Sequence, residues 1–566
     1  MKLLIRDYVA SLKEREELDA VLPDLLSELG FNVYSRPGRG TAQRGVDIAA
    51  VGKDDDGQRK VFLFSVKQGD LTRNEWDNNT PQALRPSLNE ILDDYIPNRI
   101  PPRYKALKVV ICLCFGGDIK ETAHPLVTAY IKKHTTRRIS FDQWNGDKIA
   151  ELILRGILRE ELLPKPLRSD FKKAVAMVDQ PDVSLEHFKK LIAALRRNAI
   201  SERHSVRIAR QMYICLWVLF VWARDIDNLD APYRASELVV LNLWNLARPF
   251  IGRRTAHARS VITVLQHAIV LHRIVSGEFL TKKILPHVSR RHALSAAVHS
   301  RISVDVNLRM FDVLGRIALL GHWMIWASKL NGGVIDEASR ATIDGLVKSG
   351  MQCINSNPTL FLPLQDDQAI EIALFLMLAA YTKAAHADIH AWLSQMAERL
   401  DFSVRTHGRY PCSFTDYEDL IDHPKERTDE YRKDATAGST LIPLIAAWLT
   451  ALKDKEALTR LVQLKAKALE HCTLQLWIPE PISENHIYLN DDVHGMTLCD
   501  LPVTQDGQAL LRTIADACSQ AKGFEELSAN KSGYWPVILT ACRHYRLPVP
   551  PQFWIAMIRP VTAPPI

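Results

Sequence analysis

Two short apolar runs, separated by a polar segment, constrain the fold of this chain more than any other feature. The first run covers residues 45–52 and the second covers residues 61–68. The segment between them contains three consecutive aspartates followed by Gly57. Because turn-forming residues end the first run and precede the second, the pattern predicts an antiparallel β-hairpin.

The register of this hairpin decides which polar side chains meet. A turn centred near Gly57 places Asp47 opposite Lys67, and Ser65 shares their face, because side chains alternate between the two faces of a strand. The other face carries only apolar side chains and is expected to be buried: Val46, Ile48, Phe62, Phe64 and Val66. A carboxylate and an ammonium beside a core are costly to bury, so this pair is a candidate functional site.

Two interpretations of the pair stay open. Asp47 is suited to hold Mg²⁺, while Lys67 positions the attacking water or stabilises charge on a phosphorane during phosphodiester hydrolysis. Alternatively, the two residues form an ordinary cross-strand ion pair on a half-exposed hairpin, worth about 0.2–1 kcal/mol.

The stretch resembles the PD-(D/E)XK restriction-endonuclease-like family in its Mrr-like form. Gly45-Val46-Asp47-Ile48 is followed, twenty residues after Asp47, by Ser65-Val66-Lys67-Gln68, and the upstream segment 18–31 resembles the first helix of the family, which ends in Leu-Gly-aromatic. The resemblance covers about residues 1–165. It implies a nuclease fold, catalytic roles for Asp47, Lys67, Ser65 and Gln68, a Mg²⁺ or Mn²⁺ cofactor, and a metal-holding role for Asp19 near the start of that helix.

The chain departs from the family pattern at Ser65, where Glu or Gln is usual before the x-Lys pair. Some members of the superfamily carry Ser there and supply the carboxylate from the following helix, which makes Glu75 the candidate third metal ligand and Asp77 its neighbour. The segment Thr72 to Glu75 is also a good capping box, so helix capping is the alternative role of Glu75.

A loop rich in arginine and glycine leads into the Asp47 strand. Its cations Arg36, Arg39 and Arg44 suit contacts with the phosphates of nucleic acid. A solvated loop with incidental charge is the alternative.

The rest of residues 1–165 predicts an α/β domain with the order α-β-β-β-α-β-α. Residues 107–115 form a continuous apolar run that is typical of a central strand covered on both faces. We therefore expect a mixed sheet flanked by helices, with right-handed crossovers in its parallel part.

Beyond residue 165 the periodicity is almost entirely helical. We expect a helical domain at 166–412, a charged linker or loop at 413–439, and a carboxy-terminal helical domain at 440–566. Basic clusters such as Arg253-Arg254 are read as solvated helix ends, or as a track for nucleic acid. The irregular stretch 477–508 contains acidic pairs that favour turn formation over cation binding.

Length and composition bound the remaining possibilities. With 566 residues the chain needs more than one core, and its net charge of +7 is compatible with a polyanionic partner. Nine scattered cysteines without a Cys-x-x-Cys pair favour a reducing cytoplasm over a disulfide framework or a zinc site. Arg6, Asp7, Lys13 and Glu14 make the amino terminus charged almost at once, so we expect no signal peptide. The apolar runs are shorter than the roughly 20 residues needed to span a bilayer, so we expect no membrane association.

The leading hypothesis is a Mg²⁺-dependent endonuclease, with DNA as the expected substrate and a homo-oligomer as the expected assembly. The helical region would sense a trigger or bind a protein partner, and the resemblance extends to effectors of bacterial restriction and anti-phage defence. The first rival is a nuclease fold that lost activity at Ser65 and binds nucleic acid as a scaffold. The second is a helical interaction protein whose amino-terminal domain serves only in dimerisation.

Overall fold

The structure is a computed structural model of the chain. It describes residues 5–6, 9–10, 12, 18–35, 44–54, 56–78, 83–156, 165–197, 202–330, 335–382, 386–407, 411–423 and 428–558. The chain divides into two compact units. The first comprises Met1–Val239 and Arg253–Leu271, and the second comprises Val240–Gly252 and His272–Ile566. The finer domain borders given above stay a prediction.

A mixed five-stranded sheet lies in the first unit, which confirms the predicted α/β character of the amino-terminal region. Its strands are β1 (Asn32–Ser35), β2 (Ile48–Lys53), β3 (Arg59–Lys67), β4 (Val109–Phe115) and β5 (Ile139–Trp144). They lie side by side in chain order. The pairs β1–β2 and β2–β3 are antiparallel, whereas β3–β4 and β4–β5 are parallel and need crossover connections.

Helices before, between and after the strands complete this layer. They are α1 (Asp19–Glu28), α2 (Arg73–Trp76), α3 (Leu84–Glu90), a π-helical continuation of α3 (Ile91–Arg99), a 3₁₀ turn (Pro102–Tyr104), α4 (His124–His134) and α5 (Gly146–Gly156). The helical part of the unit then begins with α6 (Lys165–Ala176), α7 (Pro181–Arg197) and α8 (Glu202–Asp225). Helices α9 (Asp230–Ala247) and α10 (Ala256–Phe279) each begin in the first unit and end in the second, and the 3₁₀ turn Arg248–Phe250 between them belongs to the second unit.

The hairpin β2–β3 forms as predicted, but its register is wrong by two residues. Ile48 pairs with Phe64 and not with Val66, so Asp47 does not lie opposite Lys67. The turn is centred one residue earlier than expected, because the Asp54 carboxylate accepts a hydrogen bond from the Gln58 amide at 2.7 Å. A shift by two residues preserves the alternation of side chains along β3.

Both faces of β3 are buried, which argues against the alternative of a half-exposed hairpin. Residues 61–67 are all buried. On one face Leu63 belongs to a core cluster that includes Leu84 of α3. On the other face the ring of Phe64 meets Trp144 edge to face at 4.9 Å. Both sides of β3 are therefore buried, which makes any charge at the end of this strand a charge next to a core.

Helix α1 is anchored by a buried ion-pair network within the first unit. The Arg210 guanidinium of α8 lies 2.6 Å from a Glu28 carboxylate oxygen and 3.8 Å from Asp24. His267 approaches Asp24 at 3.4 Å. Arg210 and Asp24 are almost fully buried, so the network holds the helix that carries Asp19 firmly against α8.

The second unit is mainly helical, in agreement with the sequence. Its α-helices are α11 (Ala293–Ala297), α12 (Ser303–Leu330), α13 (Glu337–Ser356), α14 (Ala369–Ala379), α15 (His386–His407), α16 (Tyr417–Asp422), α17 (Asp429–Ala435), α18 (Leu441–Ala451), α19 (Lys455–Lys467), α20 (Gln508–Gln520), α21 (Gly523–Glu526), α22 (Ser528–Lys531), α23 (Pro536–Tyr545) and α24 (Ile555–Ile558). Tighter or wider helical turns are Leu280–Ile284, Leu285–His287, Pro358–Phe361, Asp366–Gln368, Pro481–Asn485 and Pro551–Phe553. Every residue of α14 is buried, so this helix lies in the core.

Short strands also occur in this unit, although its periodicity is almost entirely helical. They are β6 (Gly438–Ser439), β7 (Thr473–Leu474), β8 (Leu476–Ile478) and β9 (Met496–Leu498). β6 pairs with β7 in parallel, and β8 pairs with β9 antiparallel. The β8–β9 pair closes part of the stretch 477–508, which the sequence indicated as irregular.

The charged segment 413–439 contains α16 and α17 in its described part. Leu420 and Ala435 from these helices are buried in a small cluster with Val304 and Cys412. The described part is thus packed against the unit, and its few apolar residues are the ones that make the contact.

Two helical segments among the described residues are long and apolar enough to cross a membrane by length and composition alone. They are His204–Asp225 and Ala256–His287, and 89% and 50% of their apolar windows are buried inside the protein. Core helices pass the same test, so the burial of these segments is consistent with a soluble protein.

Candidate functional site

Asp47 lies immediately before the first residue of β2. Its backbone N–H donates to the carbonyl oxygen of Phe64 at 2.9 Å, while the next residue, Ile48, is the ladder partner of the same Phe64. Val46 and Ala49 share one core cluster although a regular strand would place them on opposite faces. Two residues therefore face one, which is the arrangement of a β-bulge. The bulge explains why Val46 leaves the face predicted for it.

The bulge brings the Asp47 carboxylate to the backbone of β3. Its Oδ2 atom accepts a hydrogen bond from the Val66 amide at 2.7 Å. Val66 is the residue between Ser65 and Lys67, so the first acidic group contacts the middle of the Ser-x-Lys segment. The structure thus brings the Asp47 carboxylate to the Ser65–Lys67 segment through a backbone contact that the sequence did not indicate.

Ser65 and Lys67 lie near the carboxyl end of β3, and their side chains project from the same face of the strand. Their ladder partners on β4 are Leu113 and Phe115, and only 1% of Ser65 and 7% of Lys67 is exposed. An ammonium group is buried at this level only where nearby groups compensate its charge. The end of β3 is therefore a built polar environment next to an apolar sheet.

The charge of Asp47 reaches across to the next strand. Burial raises the pKa of the Cys114 thiol on β4, and the negative charge of Asp47 raises it further. Cys114 pairs with Val66, the same residue whose amide binds the carboxylate. Asp47 thus acts at the junction of β2, β3 and β4.

Gln68 and Glu75 are exposed. Gln68 follows the last residue of β3, and Glu75 lies on α2, where its amide donates to the Thr72 hydroxyl oxygen at 3.3 Å. This contact confirms the capping role of Thr72. A metal-binding role of Glu75 stays a prediction.

The remaining candidates are less well placed or lie outside the described residues. The side chain of Asp19 and the whole of Arg36 and Arg39 lie outside them. Arg44 is described and exposed, with its Nε atom 3.4 Å from the Asp94 carboxylate. Hydrogen bonds from Asn98 and Arg99 also hold the pKa of Asp94 below its ordinary value, so Arg44 shares a surface acid with other donors.

The sequence missed an acidic group at the carboxyl ends of the parallel strands. Asp118, after β4, donates its amide to Asp70 at 2.9 Å and pairs through its carboxylate with Arg6 at 2.6 Å. The hydrogen bond from the Asp118 amide lowers the pKa of Asp70 below its ordinary value, and the hydrogen bond from the Lys120 side chain lowers it further. Asn145 donates to Asp118 at 3.2 Å. Each of these acids has a protein partner, so the group ties the strand ends together.

Comparison of the chain with family models, curated proteins and solved structures finds no match.

The chemistry available at the end of β3 follows from these contacts. A carboxylate with one oxygen fixed by a backbone amide is oriented and suits a hard cation, which prefers oxygen ligands. A nearby lysine supplies a compact positive charge without an acceptor atom. Together they fit an anionic substrate whose reacting centre gains negative charge.

Proposed function

We propose that the amino-terminal part of the first unit is a metal-dependent endonuclease of the PD-(D/E)XK, Mrr-like type. The observation that carries the proposal is the hydrogen bond from the Val66 amide to the Asp47 carboxylate. It places the acidic group of the Gly-x-Asp segment against the Ser-x-Lys segment, although the two are separated by the whole hairpin.

The topology supports the fold part of the proposal. A helix, an antiparallel three-stranded portion and two parallel strands joined through helices appear in the order expected for such a nuclease. The motif residues lie at the start of β2 and at the end of β3, and those two ends are adjacent because the strands are antiparallel. Fold alone does not establish chemistry, so the proposal rests on the residues at that end.

Each residue has a distinct part in the proposed reaction. Asp47 holds Mg²⁺ or Mn²⁺, and the bound ion would polarise the phosphate and lower the pKa of a water molecule. Lys67 stabilises the charge that develops on the phosphoryl oxygens. Ser65 offers a neutral hydroxyl, so a second carboxylate is needed, and Asp19 or Glu75 is proposed to supply it. These oxygen donors fit a hard divalent cation.

The substrate and the biological role are further parts of the proposal. The net charge of +7 and the arginine-rich approach to Asp47 favour nucleic acid, and DNA is the proposed substrate. The helical region would bind a protein partner or sense a trigger, within a cytoplasmic homo-oligomer that acts in restriction or anti-phage defence.

Cleavage assays with matched variants test the proposal. Purified full-length protein is incubated with plasmid DNA and with RNA, with Mg²⁺ or with EDTA. We expect cleavage that EDTA abolishes, and a loss of about 100-fold or more in Asp47→Asn and in Lys67→Met, as is typical when a charged catalytic group is removed. The Asp54–Lys60 ion pair lies at the other end of the same hairpin, so Asp54→Asn and Lys60→Met are the matched controls and should retain activity.

Two experimental results would contradict the proposed nuclease site. Binding of nucleic acid that is sensitive to salt, indifferent to metal and never followed by cleavage would contradict the nuclease proposal. It would favour the inactive scaffold instead. Equal activity of Lys67→Met and the unchanged protein would contradict the assigned site.

A further inference from the structure

The second unit contains a cluster of metal-ligating side chains far along the chain from the nuclease motif. His486 follows the 3₁₀ turn Pro481–Asn485, and His494 lies just before β9. The ligand atoms of His486, Asp492 and His494 all lie within 4.8 Å of one another. The two imidazole rings are stacked, with their centroids 3.5 Å apart and their planes 25° from parallel.

The backbone around the two histidines is fixed by its neighbours. The carbonyl oxygen of His494 accepts hydrogen bonds from the Trp477 indole at 3.0 Å and from the Ser483 hydroxyl. Gly495 has φ +144°, and a Cβ atom there would lie 2.7 Å from the Ile478 carbonyl oxygen. These contacts fix the backbone that carries the two histidines.

The polar atoms of the cluster are incompletely used by the protein. The Nδ1 atom of His486 is buried and has no hydrogen-bond partner among the residues that the structure describes. The backbone amide of Asp492 donates to the Asn490 side chain at 3.1 Å, as in a turn. The Asp492 residue itself is exposed. A buried nitrogen without a partner is unusual, and a bound ion would satisfy it.

We propose that His486, Asp492 and His494 bind one divalent transition-metal ion of the zinc type. Two imidazole nitrogens and one carboxylate oxygen are ligands that zinc accepts, and water would complete a tetrahedral shell. Ligand atoms in such a shell lie roughly 3.4 Å apart. Binding therefore needs small side-chain rotations that turn the rings out of their stack, while the backbone stays in place.

The proposed ion differs from the one at the nuclease site. Mg²⁺ prefers a shell of oxygen atoms, whereas nitrogen ligands favour zinc and its neighbours in the first transition row. The ion would link the end of the 3₁₀ turn to the start of β9 and so close the loop between residues 486 and 494. The inference does not depend on nuclease activity.

Metal binding to the full-length protein tests the inference. Protein freed of metal with EDTA is dialysed against Zn²⁺, and Co²⁺ absorption is recorded as a second probe. We expect one tight equivalent per chain, and at least about tenfold weaker binding in Asp492→Asn and in His494→Gln. Asp491→Asn is the matched control, because the neighbouring acid is also exposed and lies outside the cluster.

Three outcomes would overturn the inference. The first is equal zinc binding by the unchanged protein and by the folded double variant His486→Gln, His494→Gln. The second is binding that survives Asp492→Asn at full strength, because the carboxylate would then not be a ligand. The third is a tight equivalent that is lost in Cys499→Ser, since this exposed thiol would then hold the ion.

Discussion

Gly45 is the residue on which the position of Asp47 depends. Its φ of +76° lies in the left-handed region, and a Cβ atom at this position would lie 2.0 Å from the Ser87 carbonyl oxygen. The close approach of two backbones therefore requires glycine two residues before the acid. A glycine in a Gly-x-Asp segment is thus a steric condition for the bulge that delivers the carboxylate to β3.

Replacing this glycine should cost both stability and activity. We expect Gly45→Ala to lower the free energy of unfolding by about 3 kcal/mol or more, since backbone strain adds to a collision with fixed atoms. Gly57→Ala is the control, because Gly57 has the same φ of +76° with nothing within 4 Å of the added atom, so strain of about 1 kcal/mol alone remains. Urea unfolding of both variants makes the comparison. Equal losses would show that the contact with Ser87 does not matter.

His322 is a fully buried histidine that makes stability depend on pH. Burial lowers its pKa to about 4, although its Nε2 atom is 2.9 Å from the Leu374 carbonyl oxygen. The folded protein therefore takes up this proton less readily than the unfolded chain, whose histidines have a pKa near 6.5. The contribution of His322 is present above about pH 6.5 and is lost as the pH falls toward 4.

We expect the second unit to lose about 2 kcal/mol of stability through His322 between pH 7 and pH 5. The variant His322→Gln, which cannot take up a proton, should show a correspondingly smaller change over that range. His292→Gln is the matched control because His292 is exposed, and it should behave like the unchanged protein. Denaturant unfolding at both pH values gives the measurement. An unchanged pH dependence in His322→Gln would contradict the assignment.

At the scale of elements, Asp366 organises the start of α18. It is buried, and it accepts hydrogen bonds from the Thr440 amide at 2.7 Å, the Thr440 hydroxyl at 2.8 Å and the Leu441 amide at 3.3 Å. The carboxylate thus satisfies amides at the amino-terminal end of a helix that is buried almost throughout. The helix depends on a residue more than seventy positions earlier in the chain.

Removing this anchor should be far costlier than removing an ordinary cap. We expect Asp366→Ala to lower stability by about 3 kcal/mol, because several buried donors lose their acceptor together. Asp336→Ala removes the exposed cap of α13, which accepts from the Ser339 amide at 2.9 Å, and should cost about 1 kcal/mol. Thermal unfolding of the two variants tests the difference. Equal costs would mean that the buried amides find other partners.

The strands show how much of the fold could be predicted from the sequence. Apolar runs were sufficient to predict β2, β3 and β4 and the hairpin turn, because these signals are local. The register was wrong by two residues because Asp54, Asp55 and Asp56 are equally suited to a turn. Only the hydrogen bond from the Gln58 amide to the Asp54 carboxylate selects the centre of the turn. Burial of the second face of β3 depends on helices that lie elsewhere in the chain.

The candidate site was predictable in its residue types and less so in its contacts. Asp47 and Lys67 were found because their spacing resembles a family motif. The hydrogen bond to the Val66 amide depends on a bulge, and a bulge has no clear sequence signal. The proximity of His486 and His494 could not be predicted from the sequence, because the two residues meet only after the chain reverses between them.

At the scale of the whole molecule, the excess of positive charge predicts strongly salt-dependent binding of nucleic acid. Each phosphate contact releases condensed counterions from the nucleic acid. With about two phosphates contacted, the affinity for nucleic acid should fall roughly tenfold for each fourfold rise in salt concentration. Arg44→Ala should lower the slope of log affinity against log salt by about one unit. Arg59→Ala is the control, as Arg59 lies over the Tyr104 ring. Fluorescence anisotropy at several salt concentrations measures both, and an unaltered slope in Arg44→Ala would remove it from the proposed interface.

The division of the chain into two units has a practical consequence for dissecting it. The polypeptide leaves the first unit after Val239, re-enters it at Arg253 and leaves it again after Leu271. An expression fragment that stops at Val239 would therefore lack nineteen residues that belong to the same folded body. Truncations meant to isolate the first unit should therefore retain the chain through Leu271.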